Sequence, residues 1–570
     1  MNRIQEILLV TSLVLAFCAD ARAQLKSDAN WPAWRGPLAN GVAPKASPPA
    51  EWAEDKNIRW KVAIPGRGHA TPIVWGDRVY IQTAVETQRE TAATGKDSEA
   101  AGAIAPSPDD DDIVALQPPP DGGRRRRRGG GGFGGGAEPP RHVFQFQVIA
   151  LDRKTGETIW TRTVREEKPH EAGHGDASQA SASPVTDGRH IYSYFGSRGL
   201  YCLDMQGNVK WEKDFGDQQT RNQFGEGASP ALHGDTLVVV WDHEGDDFIM
   251  ALDKKTGKKK WRRKRDEPTS WATPLIVDMS EKPAPETHGR KPAGRNPARA
   301  NTPEAPILES APPDAPMLES DLPTSPKGAT ECSHGWSEAQ LVDHVPGLRV
   351  RPEGAAELLS WAPPKPSKSV KRKRPKSKPV QVIVNNTNFI RSYDLATGKE
   401  IWRATGMTDN TVPSPMREGD LVFVISGFRG AAAYAIRAAQ AKGDITEGDA
   451  IVWKYAQDTP YVPSGVVYNR RLYFLENNRP ILTCLDARKG TPVYDKQRLP
   501  GLDSIYASMA AAGGKVYIAG RNGTVVVLED GPEFKLLATN ILDEGFDASP
   551  AIAGKEIFLR GRSHLYCIAE

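Results

Sequence analysis

Short runs of β-branched and aromatic residues recur along the chain, each closed off by Gly, Asp or Ser. IYSYF from Ile191, LVVVW from Leu237, LVFVI from Leu421, LYFL from Leu472, VYIAG from Val516 and IFLRG from Ile557 are of this kind. Runs so short and so bounded predict strands, and their near-continuous apolarity predicts sheets covered on both faces. Ahead of such runs stands a Ser or Thr that opens another strand, as in ATPIVWGD from Ala70. These openings fall at Thr71, Ser183, Ser229, Thr273, Ser414, Ser464, Ser508 and Ser549. Where nothing interrupts them, the following residues are spaced 184 to 230, 230 to 274, 465 to 509 and 509 to 550. A period of roughly 40–45 residues is that of a four-stranded propeller blade.

A hairpin completes each unit. ALDRKTGETIW (Ala150 to Trp160) returns as ALDKKTGKKKW (Ala251 to Trp261) and SYDLATGKEIW (Ser392 to Trp402), with looser copies at Cys202 to Trp211 and Cys484 to Tyr494. The Asp ends one strand, the Gly tolerates the positive φ of a tight turn, and the large aromatic opens the return strand. Carboxylates that recur in this way (Asp152, Asp204, Asp253, Asp394, Asp486) predict turn formation in place of catalysis. Trp60, Trp160, Trp211, Trp261, Trp402 and Trp453 predict docking of one blade on the next.

The expected fold is therefore all-β: an eight-bladed β-propeller over residues 57–570. The last unit ends at HLYCIAE and lacks its outer strand, whereas NIRWKVAI at Asn57 to Ile64 is an outer strand without a blade. Joining the two closes a ring and hides two sheet edges. Residues 24–56 are read as an aromatic-rich lead-in, with WPAWRGP at Trp31 to Pro37. Two segments break the period, 85–141 in the first blade and 279–379 in the fourth. Their Gly, Pro, Lys and Ser bias reads as disordered loops on a rigid ring.

Charge places little weight on nucleic acid. The chain carries 74 Lys and Arg against 71 Asp and Glu. Between Glu281 and Lys378 there are 16 basic and 12 acidic residues, so the surplus sits in an insert and not in the repeats. No nucleic-acid partner is expected. Ile7 to Ala19 is apolar, and Ala21-Arg22-Ala23 fits a signal-peptidase site, so residues 1–23 read as a signal peptide, either cleaved or kept as an anchor. No other stretch is apolar enough to span a membrane. The expected product is an exported, periplasmic or envelope-associated monomer. Cys202, Cys484 and Cys567 share one repeat position that Ala fills elsewhere, which reads as packing and not redox or metal chemistry.

Candidate chemistry is sparse. The run Asp109 to Asp112 lacks the spacing of a calcium loop, and Arg124 to Arg128 and Lys371 to Lys376 read as solvated basic runs open to an anionic surface. His170, His174 and Asp176 share one glycine-containing loop. Their residue types suit metal binding or proton transfer, but they form no assigned metal set. Connections from each outer strand to the next inner strand should converge on the axis. They bring Arg67, His69, His174, Asp176, Arg221, Asn222, Glu226, Trp271, Asp409, Asn410, Tyr461, Asp503, Tyr506, Phe546 and Asp547. Two readings stand for this group: a ligand site at a concave mouth, or ordinary hydrogen bonding where loops cross. No catalytic residue is assigned.

The A-x-D-x-x-T-G-x-x-x-W pattern at Ala150 to Trp160 and Ala251 to Trp261, nearly repeated at Ser392 to Trp402, resembles the pyrroloquinoline quinone (PQQ) repeat family. The resemblance implies an eight-bladed propeller of the kind shared by quinoprotein dehydrogenases and BamB-type assembly scaffolds. It implies two functions. One is a non-catalytic binding or scaffold module of the bacterial envelope, with a protein or glycan partner. The other is a dehydrogenase holding PQQ and calcium in the channel. The vicinal cysteine pair of the quinoprotein alcohol dehydrogenases is absent from this sequence, as is a C-x-x-C-H haem site.

Overall fold

The computed structural model describes residues 29–90, 140–279 and 379–570. The signal-peptide reading at 1–23 and most of both inserts lie outside them. Eight sheets form the described chain, each built on four antiparallel strands, and two of the sheets carry a fifth, parallel strand. Within each we label the strands A to D from the axis outwards. Blade 1 is typical: Ile73–Trp75, Arg78–Glu90, His142–Asp152 and Thr158–Glu167. Blade 8 is made of Ala551–Ala553, Glu556–Arg560, His564–Ile568 and the early strand Ile58–Ala63. Trp60 pairs with Cys567 and Val62 with Leu565, so the ring is closed by its two ends.

One boundary differs from the sequence reading. Strand B of blade 1 does not stop at Val85. It stays paired with strand C through Glu86–Phe144 and Glu90–His142, because alternating polar residues suit a ribbon that rises out of the ring into water. Blade 4 resumes at Val380 after its insert, with Leu275 opposite Ile383.

The six tryptophans do not all act alike. Trp60 Nε1 donates to Arg153 O at 3.0 Å, Trp160 to Met205 O at 3.2 Å, and Trp211 to Lys254 O at 3.0 Å. Trp261 reaches Leu395 O at 2.8 Å and Trp453 reaches Ala487 O at 3.0 Å. Each acceptor lies in the C–D turn of the next blade. The ring also covers the turn glycine: a Cβ on Gly156, at φ +78°, would lie 2.7 Å from Trp60. Trp402 departs from the docking role. The next blade has no tight turn there; its C–D connection carries the extra strand Gly443–Asp444, which pairs beside Trp402. Trp402 turns inward and donates to Gln381 of its own blade at 2.9 Å.

Around the axis the opening Ser and Thr residues form a hydrogen-bonded girdle. The N–H of Thr71 donates to Ser183 Oγ, and the pattern passes through Ser229, Thr273, Ser414, Ser464 and Ser508 to Ser549, with distances of 2.8–3.0 Å. Thr71 Oγ1 closes the circuit on Ser549 O at 3.2 Å. A small hydroxyl suits this place because eight inner strands meet where only short side chains fit, and each inner N–H still needs an acceptor.

The lead-in is part of the ring's structure. Trp31 exchanges backbone hydrogen bonds with Val74 of blade 1, and Pro32 O accepts from Thr186 of blade 2. Arg35 donates to Gly465 O at 2.5 Å and to Met509 O at 2.8 Å, in the connections leading into blades 6 and 7. Asn40 donates to Arg417 O of blade 5. Val42–Ala43 then pairs in parallel with Ala511–Ala512 of blade 7. A segment touching opposite blades within so few residues crosses the axis, and it plugs one mouth of the channel.

Candidate functional site

On one side of this plug the channel opens into a cavity of about 310 Å³. Trp34 forms part of its lining, its Nε1 donating to Ser549 Oγ at 3.3 Å. The inter-blade connections supply His69, His174, Asp176 and Glu226. From further round the ring come Trp271, Tyr461, Tyr506 and Asp547. On the far side of the plug a second groove, of about 810 Å³, runs between the lead-in and the inner strands.

The other sequence candidates fall outside the central cavity. Arg67 lines a neighbouring cavity of about 440 Å³ among blades 1 to 3, and donates to Gly175 O at 2.8 Å. Arg221 and Asn222 belong to a short 3-10 turn; Arg221 N–H donates to Thr269 Oγ1, and Asn222 supplies a φ of +52°. Asp409 is exposed beside the buried Asn410. Asp503 is exposed and accepts the N–H of Ser504. Phe546 is buried against Tyr566.

Three groups that sequence reasoning missed shape the cavity. Arg521, in the B–C turn of blade 7, donates to Asp176 Oδ1 at 2.6 Å and to Asp547 Oδ1 at 2.7 Å, and lies 4.2 Å over the ring of Tyr506. Its hydrogen bond holds the Asp176 carboxyl below the usual range. Phe224 packs edge-on against His174 at 5.5 Å and tilts against Trp271 at 6.4 Å. Trp34 arrives from the lead-in. The RNG turn around Arg521 is an ordinary hairpin signal, and nothing local marks any of these residues as axial.

Buried polar groups give the cavity its character. Glu226 accepts from Ser197 N–H at 2.6 Å and Ser197 Oγ at 2.5 Å, and burial pushes its carboxyl up. Gly196 permits this approach: at φ +58°, a Cβ there would overlap Glu226 Oε2 at 1.4 Å. His69 Nε2 and Asp547 Oδ2 face each other at 3.7 Å, and both are buried without a hydrogen-bond partner. Burial pushes the His69 imidazole down to about 4, so it is neutral at ordinary pH.

The loop histidines separate. His170 turns away to Gln218 O, at 2.6 Å, and to Arg198, while His174 faces the cavity. Among the described residues no group of three or more His, Cys, Asp or Glu is placed to hold a metal ion. Cys202, Cys484 and Cys567 are buried free thiols, each pushed up to about 12 by desolvation, which leaves them unreactive.

PQQ is a flat quinone bearing three carboxylates, so a site for it needs cations. Here Asp176, Glu226 and Asp547 line the cavity with no Lys or Arg among its described lining residues, and Arg521, behind them, is engaged by two of these carboxylates. The residues present do not fit PQQ, and no step is derived through it.

Residues 145–286 match a family model described as outer membrane protein assembly factor BamB. No curated protein matches the sequence. Among solved structures, quinohemoprotein alcohol dehydrogenase from Comamonas testosteroni is similar over 96% of this chain and 81% of its own, at 9% identity and a TM-score of 0.50. BamB from Moraxella catarrhalis is similar over 74% and 90%, at 10% identity and a TM-score of 0.40. The computationally designed Ika8 protein is similar over 75% and 93%, at 8% identity and a TM-score of 0.42. Identities this low speak to fold alone. Among the described residues no helix is long and apolar enough to cross a membrane.

Proposed function

We propose that this chain, a PQQ-like β-propeller, is an exported, non-catalytic binding or scaffold module of the bacterial cell envelope. The leader read at residues 1–23 supports export. One observation carries the binding reading. The lead-in plugs one mouth of the channel, and at the other Arg521 is spent on Asp176 and Asp547. That leaves a shaped aromatic cavity lined by three carboxylates and, among the described residues, by no Lys or Arg, a poor fit for an anionic quinone. Rigid rings that present loops and a concave mouth are suited to holding a partner.

The dehydrogenase alternative makes an opposite demand, namely tight uptake of PQQ with calcium. The test is titration of the purified protein with PQQ and calcium chloride, followed by cofactor absorbance and by dye reduction with alcohols and sugars. No saturable binding and no dye reduction are expected. Stoichiometric uptake with turnover would overturn the reading.

A further inference from the structure

We propose that the central cavity binds an uncharged, hydroxyl-bearing ring, the pyranose unit of a neutral glycan, with His69 and Asp547 gripping one hydroxyl and aromatic side chains holding the ring. The proposal rests on the binding reading above and names its ligand class.

Two buried polar atoms in the cavity lack hydrogen-bond partners. The side chain of Asp547 is 4% exposed, and its Oδ1 is satisfied by Arg521, but Oδ2 receives no hydrogen bond, the half-exposed Arg562 standing 3.9 Å from it. His69 Nε2, 3.7 Å away, has no partner either. That gap is too long for a direct hydrogen bond, and leaving two buried polar atoms unpaired costs free energy. With the imidazole hydrogen on Nε2, a group that completes both must donate to the carboxylate and accept from the imidazole N–H. A hydroxyl does both at once. An ammonium has no acceptor for the imidazole N–H, and a carboxylate would be repelled by Asp547. A bridging water meets the same demand, and a sugar hydroxyl that replaces it keeps both hydrogen bonds.

The walls match the rest of such a ring. Trp34 and Trp271 have their indole N–H groups already used, on Ser549 Oγ at 3.3 Å and Gly225 O at 2.7 Å, so they present ring carbons. Tyr461 and Phe224 add further aromatic surface to the lining. Sugar C–H faces pack against aromatic carbons, while their hydroxyls need fixed polar partners at the edge. At about 310 Å³ the space lies at the small end of ligand cavities, sized for a unit of a chain and not for a folded partner. The lining carries Asp176, Glu226 and Asp547 and, among the described residues, no Lys or Arg, which disfavours an anionic ligand.

The experiment titrates the full chain with neutral tetrasaccharides of glucose (β-1,4 and α-1,4 linked) and of N-acetylglucosamine, with tetragalacturonate as the anionic control. Tryptophan fluorescence and calorimetry are the readouts. At least one neutral oligosaccharide should bind saturably, with tetragalacturonate at least tenfold weaker. H69L and W271A should each weaken binding at least tenfold while the unfolding midpoint of H69L stays within a few degrees of the parent. Absence of saturable binding by all three neutral probes, or unchanged affinity in both variants, would overturn the proposal. PQQ uptake in a parallel titration would sink the binding reading itself. Failure of the sugars without PQQ uptake removes only the ligand assignment.

Discussion

Arg521 donates to Asp176 across the channel at 2.6 Å, although 345 residues separate them in the chain. The same guanidinium holds Asp547 at 2.7 Å, so one side chain ties the loop before blade 2 to blades 7 and 8. The bridge spans the seam where the first and last parts of the chain meet.

Removing that bridge should cost more than an exposed ion pair. Arg521 is 18% and Asp547 4% exposed at their side chains. Arg521→Met leaves the buried Asp547 without its hydrogen-bond donor, while Asp176 keeps Tyr506 Oη at 3.2 Å, and a loss of about 2–4 kcal/mol is expected. The cycle with Asp547→Asn should show coupling above about 1 kcal/mol in urea melts. Additive losses would mean the bridge contributes nothing of its own.

Trp60 completes blade 8 and docks on blade 1, so it guards ring closure. Trp60→Ala should destabilise by about 3–5 kcal/mol, the range for emptying a large aromatic site. Gly156→Ala should cost about 1–3 kcal/mol, because its Cβ meets Trp60 at 2.7 Å on a backbone at φ +78°. Thermal melts of both variants check this. Trp402→Phe provides the contrast, since it loses a hydrogen bond within one blade and should leave blade docking unchanged.

Arg35 pins the plug through carbonyl acceptors only, at Met509, Gly465 and Asn40. Arg35→Ala leaves those buried oxygens without their donor, and a loss of about 2–4 kcal/mol is expected. Limited proteolysis should then cut within residues 29–45 before the blades. Equal resistance of variant and parent would show that the plug is held elsewhere.

Glu267 makes stability fall as pH rises toward neutrality. Burial raises its carboxyl to about 7 from an ordinary 4.5. Its oxygens accept from Asn388 N–H at 2.9 Å and Phe389 N–H at 3.1 Å, with Arg265, Arg391, Asp242 and Asp247 nearby. Between those two values the folded protein keeps a proton that the unfolded chain has released. Its contribution is therefore fully present below about 4.5 and is lost as pH rises through about 7. Glu267→Gln removes the titration and keeps an acceptor. The drop in unfolding midpoint from pH 5 to pH 8 should be smaller in the variant than in the parent.

The ring itself was legible because it is periodic. Hydrophobic runs, turn glycines and Ser/Thr openings repeat at a near-constant spacing, and a missing outer strand at the end matched a spare one near the start. Local chemistry dictates each of these: strand patterning needs only neighbours in sequence, and a tight turn needs its glycine. Even so, Trp402 shows the limit, since its motif is nearly regular and its role depends on the shape of a different blade.

The cavity was half legible. His69, Asp176, Tyr506 and Asp547 were reachable by knowing that inter-blade connections meet at an axis. Arg521, Phe224 and Trp34 were not, because their direction depends on the curvature of the closed ring and on a lead-in threading across it. The chain's own pattern thus determined blade number, strand order and closure, which rest on short-range hydrogen bonding and burial. Only the folded ring decided which side chains share the channel. Contacts between residues hundreds of positions apart follow from how the blades pack around the axis, and no local signal encodes that geometry.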